Sequence, residues 1–128
     1  GPISWLDARS DRDVAVDMAA HGDVVIARRD IGTSYHLSVV VDDAIDGVTH
    51  VTRGEDLADS THVHRLLQAL LGLPSPVYFH HALVTAKSGK RLAKRDKAAS
   101  LASLRAAGQT VDNIVANLPQ LSSLKLRQ

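Results

Sequence analysis

With 128 residues, 45% of them hydrophobic and 23% charged, the chain is one domain or part of one, with enough apolar material for a core. Fifteen Lys and Arg against 14 Asp and Glu leave a net charge of +1, which excludes a uniformly basic nucleic-acid coat and confines any such contact to a local patch. The absence of Cys excludes disulfides, thiolate metal sites and a cysteine nucleophile, and 3% aromatics argue against a base-stacking platform.

No apolar run approaches the roughly 20 residues of a bilayer span, and the N-terminus lacks a signal-peptide pattern, so a cytoplasmic location without a membrane partner is expected. Residues 1–21 mix charge with small apolar groups, and Ser10–Asp13 reads as a turn. Gly22 then opens Asp23-Val24-Val25-Ile26-Ala27-Arg28-Arg29, a short β-rich run closed by Asp30. Beyond the turn at Ile31–Ser34, Tyr35–Val41 reads as a strand, and Val39-Val40-Val41 predicts burial on both faces, as in a central parallel strand. Asp42-Asp43 ends it and Asp46-Gly47 forms a turn. Val48–Arg53 alternates in polarity and predicts another strand.

The clearest helix is Ser60–Leu71. Ser60 or Asp59 serves as its N-cap, Val63, Leu66, Leu67 and Leu70 recur on one face, and Gly72 sits where a terminating glycine belongs. Pro74 and Pro76 block its continuation. Val77–Val84 predicts a strand, Ala98–Ala107 a helix ended by Gly108, and Thr110 caps a further helix through Leu118. The tail from Pro119 is polar and basic. The order is strand, strand, strand, helix, strand, loop, helix, helix, an α/β pattern with a parallel-sheet core and C-terminal helices.

Between the 77–84 strand and the 98–107 helix lies the densest charge in the chain. Six Lys or Arg residues fall between Lys87 and Lys97, against one acid, Asp96. Cationic charge on a loop containing Gly89 suits a polyphosphate, although a solvated basic loop has the same composition. Open α/β sheets bind ligands at the carboxyl ends of their strands, where Arg53-Gly54-Glu55-Asp56 and this loop both fall. Asp42 and Asp43 would point to opposite faces of a strand, and so would His80 and His81. His62 and His64 stand about 200° apart on a helix. None of these pairs can share a metal ion, so structural or solvent-facing histidines are the better reading.

Three segments together resemble the catalytic domain of glutamyl-type class I aminoacyl-tRNA synthetases. They are Asp23–Asp30 with Thr33–Asp43, then Gly47–Leu57 (Gly-Val-Thr-His-Val-Thr-Arg-Gly-Glu-Asp-Leu), then Arg91-Leu92-Ala93-Lys94-Arg95, which looks like the family's KMSKS signature. The likeness implies the second half of a Rossmann-type nucleotide-binding fold, with residues 1–128 a single partial domain. Residues 22–108 would be the C-terminal half of the catalytic domain, carrying the signature loop at 90–97, and 119–128 a tail. Within the family, Thr61–Pro74 and the short ending after the signature resemble the small paralogue that activates glutamate with ATP and transfers it to the queuosine base of tRNA(Asp). The alternatives are a fragment of an ordinary glutamyl-tRNA synthetase and a non-catalytic nucleotide- or RNA-binding module.

The resemblance implies roles residue by residue. Lys94 would be catalytic, stabilising charge on the ATP phosphates as the glutamate carboxylate attacks the α-phosphorus. Arg91, Leu92, Ala93, Lys94, Arg95 and Leu83 would bind ATP, which the family uses with Mg. Arg53 would bind glutamate, with Tyr35 as hydrogen-bonding partner; the simpler reading of Arg53 is a salt bridge to Glu55, Asp56 or Asp43, and of Tyr35 a half-buried strand aromatic. Two departures bear on this. No His-x-Gly-His motif, which in the family holds the adenosine end of ATP, occurs in the chain, so the missing N-terminal half of the domain is an expected partner. Ala93 stands where the signature has Ser. No zinc site is expected.

Overall fold

The computed structural model describes residues 1–85 and 100–118. They fall into two units, residues 1–81 and residues beyond 81. The first opens with a hairpin. Strand β1 (Ser4–Asp7) pairs antiparallel with β2 (Arg12–Ala15), in a register that sets Trp5 against Val14 and Asp7 against Arg12. The Asp7 carboxylate ties the intervening turn by accepting from the Arg9 N–H at 3.1 Å and the Ser10 hydroxyl at 2.6 Å. Ser10–Asp13 thus does include the turn, but the two strands flanking it carry too little alternation to read from sequence.

Residues 23–29 form no strand. The run has β-branched residues, but none of the four strands pairs with it, and Val25 and Ile26 are exposed. A strand needs ladder partners as well as propensity. The larger correction concerns Tyr35–Val41, which is helical: α1 spans Tyr35–Ile45. Ser34 caps it by accepting from the Leu37 N–H, and Asp46 and Gly47, with φ +68° at the glycine, end it. Leu37, Val40, Val41 and Ala44 follow the i, i+3, i+4, i+7 spacing of one helix face. Val40 is buried against Val63 and Leu67 of the next helix, and this packing overrides the β-propensity of the valines.

Strand β3 (His50–Gly54) lies within a residue or two of its expected bounds. A 3-10 turn at Glu55–Leu57 leads directly into α2, which spans Ser60–Leu71 as the spacing predicts. Because the chain is already helical at Ala58 and Asp59, their carbonyls receive the first N–H groups of α2, and Asp59 makes no side-chain cap. Gly72 terminates α2 in the left-handed conformation at φ +68°, with the Leu73 N–H returning to the Gln68 carbonyl at 2.8 Å. Val63 and Leu67 are buried, but Leu70 is 72% exposed, so the apolar face is narrower than the sequence suggests.

Strand β4 (Val77–His81) runs parallel to β3 on one side and to β1 on the other, giving the order β2-β1-β4-β3. It ends three residues short of Val84. In the second unit, α3 (Leu101–Ala106) and α4 (Val111–Ala116) are capped by Ser100 and Thr110, whose hydroxyls accept from the backbone N–H groups of Ser103 and Asn113. Gly108, at φ +78°, separates them. Residues 86–99 and the tail from Pro119, for which the sequence carried expectations, lie outside the described residues.

Candidate active site

The parallel register of β3 and β4 pairs Val51 with Tyr78 and Arg53 with His80. Alternation puts Arg53, Tyr78 and His80 on one face of the sheet. Tyr78 and His80, both buried, stack with ring centroids 6.1 Å apart, and the Arg53 guanidinium carbon lies 5.2 Å from the Tyr78 ring centre. Helix α2 presents Thr61, His64 and Gln68 at i, i+3 and i+7, and all three are buried. A polar stripe therefore runs along α2 beside the apolar stripe of Val63 and Leu67. Gln68 donates to the Tyr78 hydroxyl at 2.9 Å, and Thr61 and His64 reach Arg53.

Arg53 is held at all three of its nitrogens. Its Nε donates to His80 Nε2 at 3.2 Å, Nη1 to His64 Nδ1 at 3.0 Å and Nη2 to the Thr61 hydroxyl at 2.6 Å. The Thr61 hydroxyl also lies 3.1 Å from His80 Nε2. A guanidinium has five N–H donors and no acceptor, so among the described residues two N–H groups remain without a partner, one on each terminal nitrogen. Every one of these partners is neutral. Burial, and then the Arg53 charge, lowers the pKa of His64 to about 3; His36 contributes further. Burial followed by Arg53 also lowers His80 and His36.

No carboxylate among the described residues forms an ion pair with Arg53. Glu55, an expected salt-bridge partner, pairs with Arg9 at 3.3 Å, and Arg28 pairs with Asp30. Asp43 feels the Arg53 charge without contact; burial dominates and raises its carboxyl pKa, assisted by Asp42 and Asp46. Asp42 and Asp43, expected to end a strand, sit instead within α1. The result is a cation at the carboxyl end of a parallel strand, surrounded by neutral acceptors, with two donors that no described residue uses. That arrangement is suited to a planar anion such as a carboxylate.

Tyr35 is the first residue of α1 and 52% exposed, not a half-buried strand aromatic. It makes no hydrogen bond to Arg53 but stands beside it through the histidines, its ring 5.5 Å from His36 and 5.6 Å from His64. His64 Nε2 lies 3.0 Å from His36 Nδ1. His62 faces the other way, accepting from the Asp17 N–H and meeting Trp5 edge-on, so the angular argument that separated His62 from His64 holds. Leu83 is half-buried in the second unit. Arg91, Leu92, Ala93, Lys94 and Arg95 lie outside the described residues. Among the described residues no group of three or more His, Asp or Glu converges as a metal site. Sequence reasoning passed over Thr61, His64 and His80 as partners of Arg53, and His36 as the partner of His64; the one available signal was the i, i+3, i+7 polar spacing of Thr61, His64 and Gln68 in α2.

A mixed, parallel-dominated sheet with a charged site at its strand ends is α/β architecture of the Rossmann type, and the chain belongs to the class I tRNA synthetases (E and Q), whose catalytic-domain model matches residues 8–121. Among its relatives, a glutamyl-Q tRNA(Asp) synthetase of Rhodobacter capsulatus is 63% identical over 95 residues, covering 74% of this chain and 34% of the relative. One from Symbiobacterium thermophilum is 50% identical over 105 residues, covering 82% and 32%. The crystal structure of glutamate-tRNA synthetase from Elizabethkingia anophelis superposes with a TM-score of 0.63 at 31% identity, covering 75% of this chain and 19% of that one. The chain thus spans about a third of the length of the curated relatives it matches.

Proposed function

We propose that this chain carries the C-terminal half of the catalytic site of an ATP-dependent ligase that activates glutamate and transfers it to the queuosine base of tRNA(Asp). In this reading Arg53 and Tyr35 bind glutamate. The loop at 90–97, with Leu83, binds ATP with its Mg, and Lys94 stabilises charge on the phosphates while a glutamate carboxylate attacks the α-phosphorus and pyrophosphate leaves. The observation that carries the proposal is Arg53 itself: a guanidinium with no ion pair among the described residues and one N–H free on each terminal nitrogen. A carboxylate clamped by a guanidinium is a poor nucleophile, so Arg53 holds the side-chain carboxylate and leaves the α-carboxylate to react. The names of the relatives support the queuosine substrate, and their length supports a partner segment that supplies the adenosine end of the ATP site.

Glutamate-dependent ATP–pyrophosphate exchange tests this. The chain together with the segment of its relatives that it does not span should exchange, and the 128 residues alone should not. Replacing Arg53 by Ala removes two charge-assisted hydrogen bonds, each worth about 1.5–3 kcal/mol, so kcat/KM for glutamate should fall at least about 100-fold. Exchange by the chain alone would refute the half-site reading, and an unchanged kcat/KM in Arg53→Ala would refute the role of Arg53. Charging of unmodified tRNA(Glu) instead of queuosine-containing tRNA(Asp) would overturn the nucleic-acid substrate.

A further inference from the structure

We infer that His64, backed by His36, is a positioning residue that sets the plane of the Arg53 guanidinium for its ligand while leaving its charge unquenched. The inference rests on the reading that Arg53 holds a glutamate carboxylate. Its grounds are geometric. Arg53 comes from β3, its Nε partner His80 from β4, and its terminal-nitrogen partners Thr61 and His64 from α2. Thr61 and His80 are themselves in hydrogen-bond contact, 3.1 Å apart, so they hold the Nε–Nη2 edge as one unit. Among the described residues His64 alone holds Nη1, at 3.0 Å, and so fixes the third corner of the plane.

The relay behind His64 runs in one direction. A guanidinium only donates, so His64 Nδ1 accepts and its proton sits on Nε2. That Nε2–H then donates across 3.0 Å to His36 Nδ1, which leaves the His36 proton on its own Nε2. Each imidazole is neutral; the acceptor nitrogen of His64 meets Arg53 and that of His36 meets His64. A Glu or Asp at position 64 would hold the guanidinium equally well, but it would neutralise the charge that the ligand needs. A buried histidine, 1% exposed, orients Arg53 without competing for it.

Three substitutions of His64 in the assembled enzyme test the inference through separate KM values for glutamate and ATP. His64→Gln keeps an acceptor and a donor in similar places, and glutamate KM should stay within about threefold of the wild type. His64→Leu removes both and should raise glutamate KM about tenfold or more with ATP KM unchanged. His64→Glu should be the most damaging, because it pairs with Arg53. In the wild-type chain, 15N NMR at pH 7 should show His64 as the neutral Nε2–H tautomer, a result independent of whether any variant folds. A Nδ1–H or protonated His64 would overturn the inference, as would a glutamate KM for His64→Leu equal to that of the wild type. If Arg53→Ala also leaves glutamate KM unchanged, the underlying reading fails; if Arg53→Ala raises it and His64→Leu does not, only the positioning role fails.

Discussion

Acidification should destabilise the fold through His64 before most carboxylates titrate. His64 is buried against Arg53 of β3 and His36 of α1, with the Tyr35 ring alongside and Asp43 raised in pKa on the same helix as His36. Burial and the Arg53 charge lower its folded-state pKa from 6.5 to about 3. Between those values the unfolded chain binds a proton that the native protein refuses, so stability is full above pH 6.5 and falls as pH drops toward 3. The slope is about 1.36 kcal/mol per pH unit, and pH 5 lies 1.5 units below 6.5, so His64 withdraws about 2 kcal/mol there. His36, His62 and His80 shift in the same direction and Asp43 in the opposite one, so the total slope mixes several groups. A comparison with His64→Gln isolates the contribution of His64. Urea unfolding of dilute protein, followed by the fluorescence of Trp5, the only Trp in the chain, should show the wild type losing about 2 kcal/mol more than His64→Gln between pH 7 and pH 5. Equal losses in the two proteins would mean that His64 protonates in place, and the reasoning from burial would be refuted.

Two further outcomes follow from the proposed site and from the sheet edge. In the assembled enzyme, Lys94→Ala should depress the activation step about 100-fold or more, the usual scale for one preorganised charge, while leaving thermal unfolding unchanged; an unaltered exchange rate removes Lys94 from the mechanism. Among the described residues strand β3 pairs only with β4, and Val25 and Ile26 stay exposed on a β-prone run, so the isolated chain should self-associate at micromolar concentration by light scattering. A stable monomer would argue that the chain buries its own edges.

Where local chemistry decides the structure, the sequence was readable. Helix α2 starts and stops at the residues its spacing and Gly72 indicate, and Thr110 caps a helix as expected. Where partners decide, it was not. Tyr35–Val41 has the composition of a buried strand, yet Ser34 caps it, and Val40 finds Val63 and Leu67, which make it a helix. Residues 23–29 have the same β-rich composition and end as neither, because none of the four strands pairs with them. Composition measures how well a segment would fit a sheet.

The same distinction separates the two halves of the candidate site. Arg53 was visible because a strand end followed by Gly-Glu-Asp is a local pattern that matches a family motif. Its partners were invisible because they are 8, 11 and 27 residues away and belong to two other elements. Singly, His64 and His80 look like ordinary histidines. Their meaning comes from the register that sets His80 opposite Arg53, and from the helix phase that turns Thr61 and His64 inward together. Both constraints are tertiary. An arginine motif marks where a ligand charge would be met; the neutral groups packed around it determine whether that charge remains available, and here every one of its hydrogen-bonding partners leaves it so.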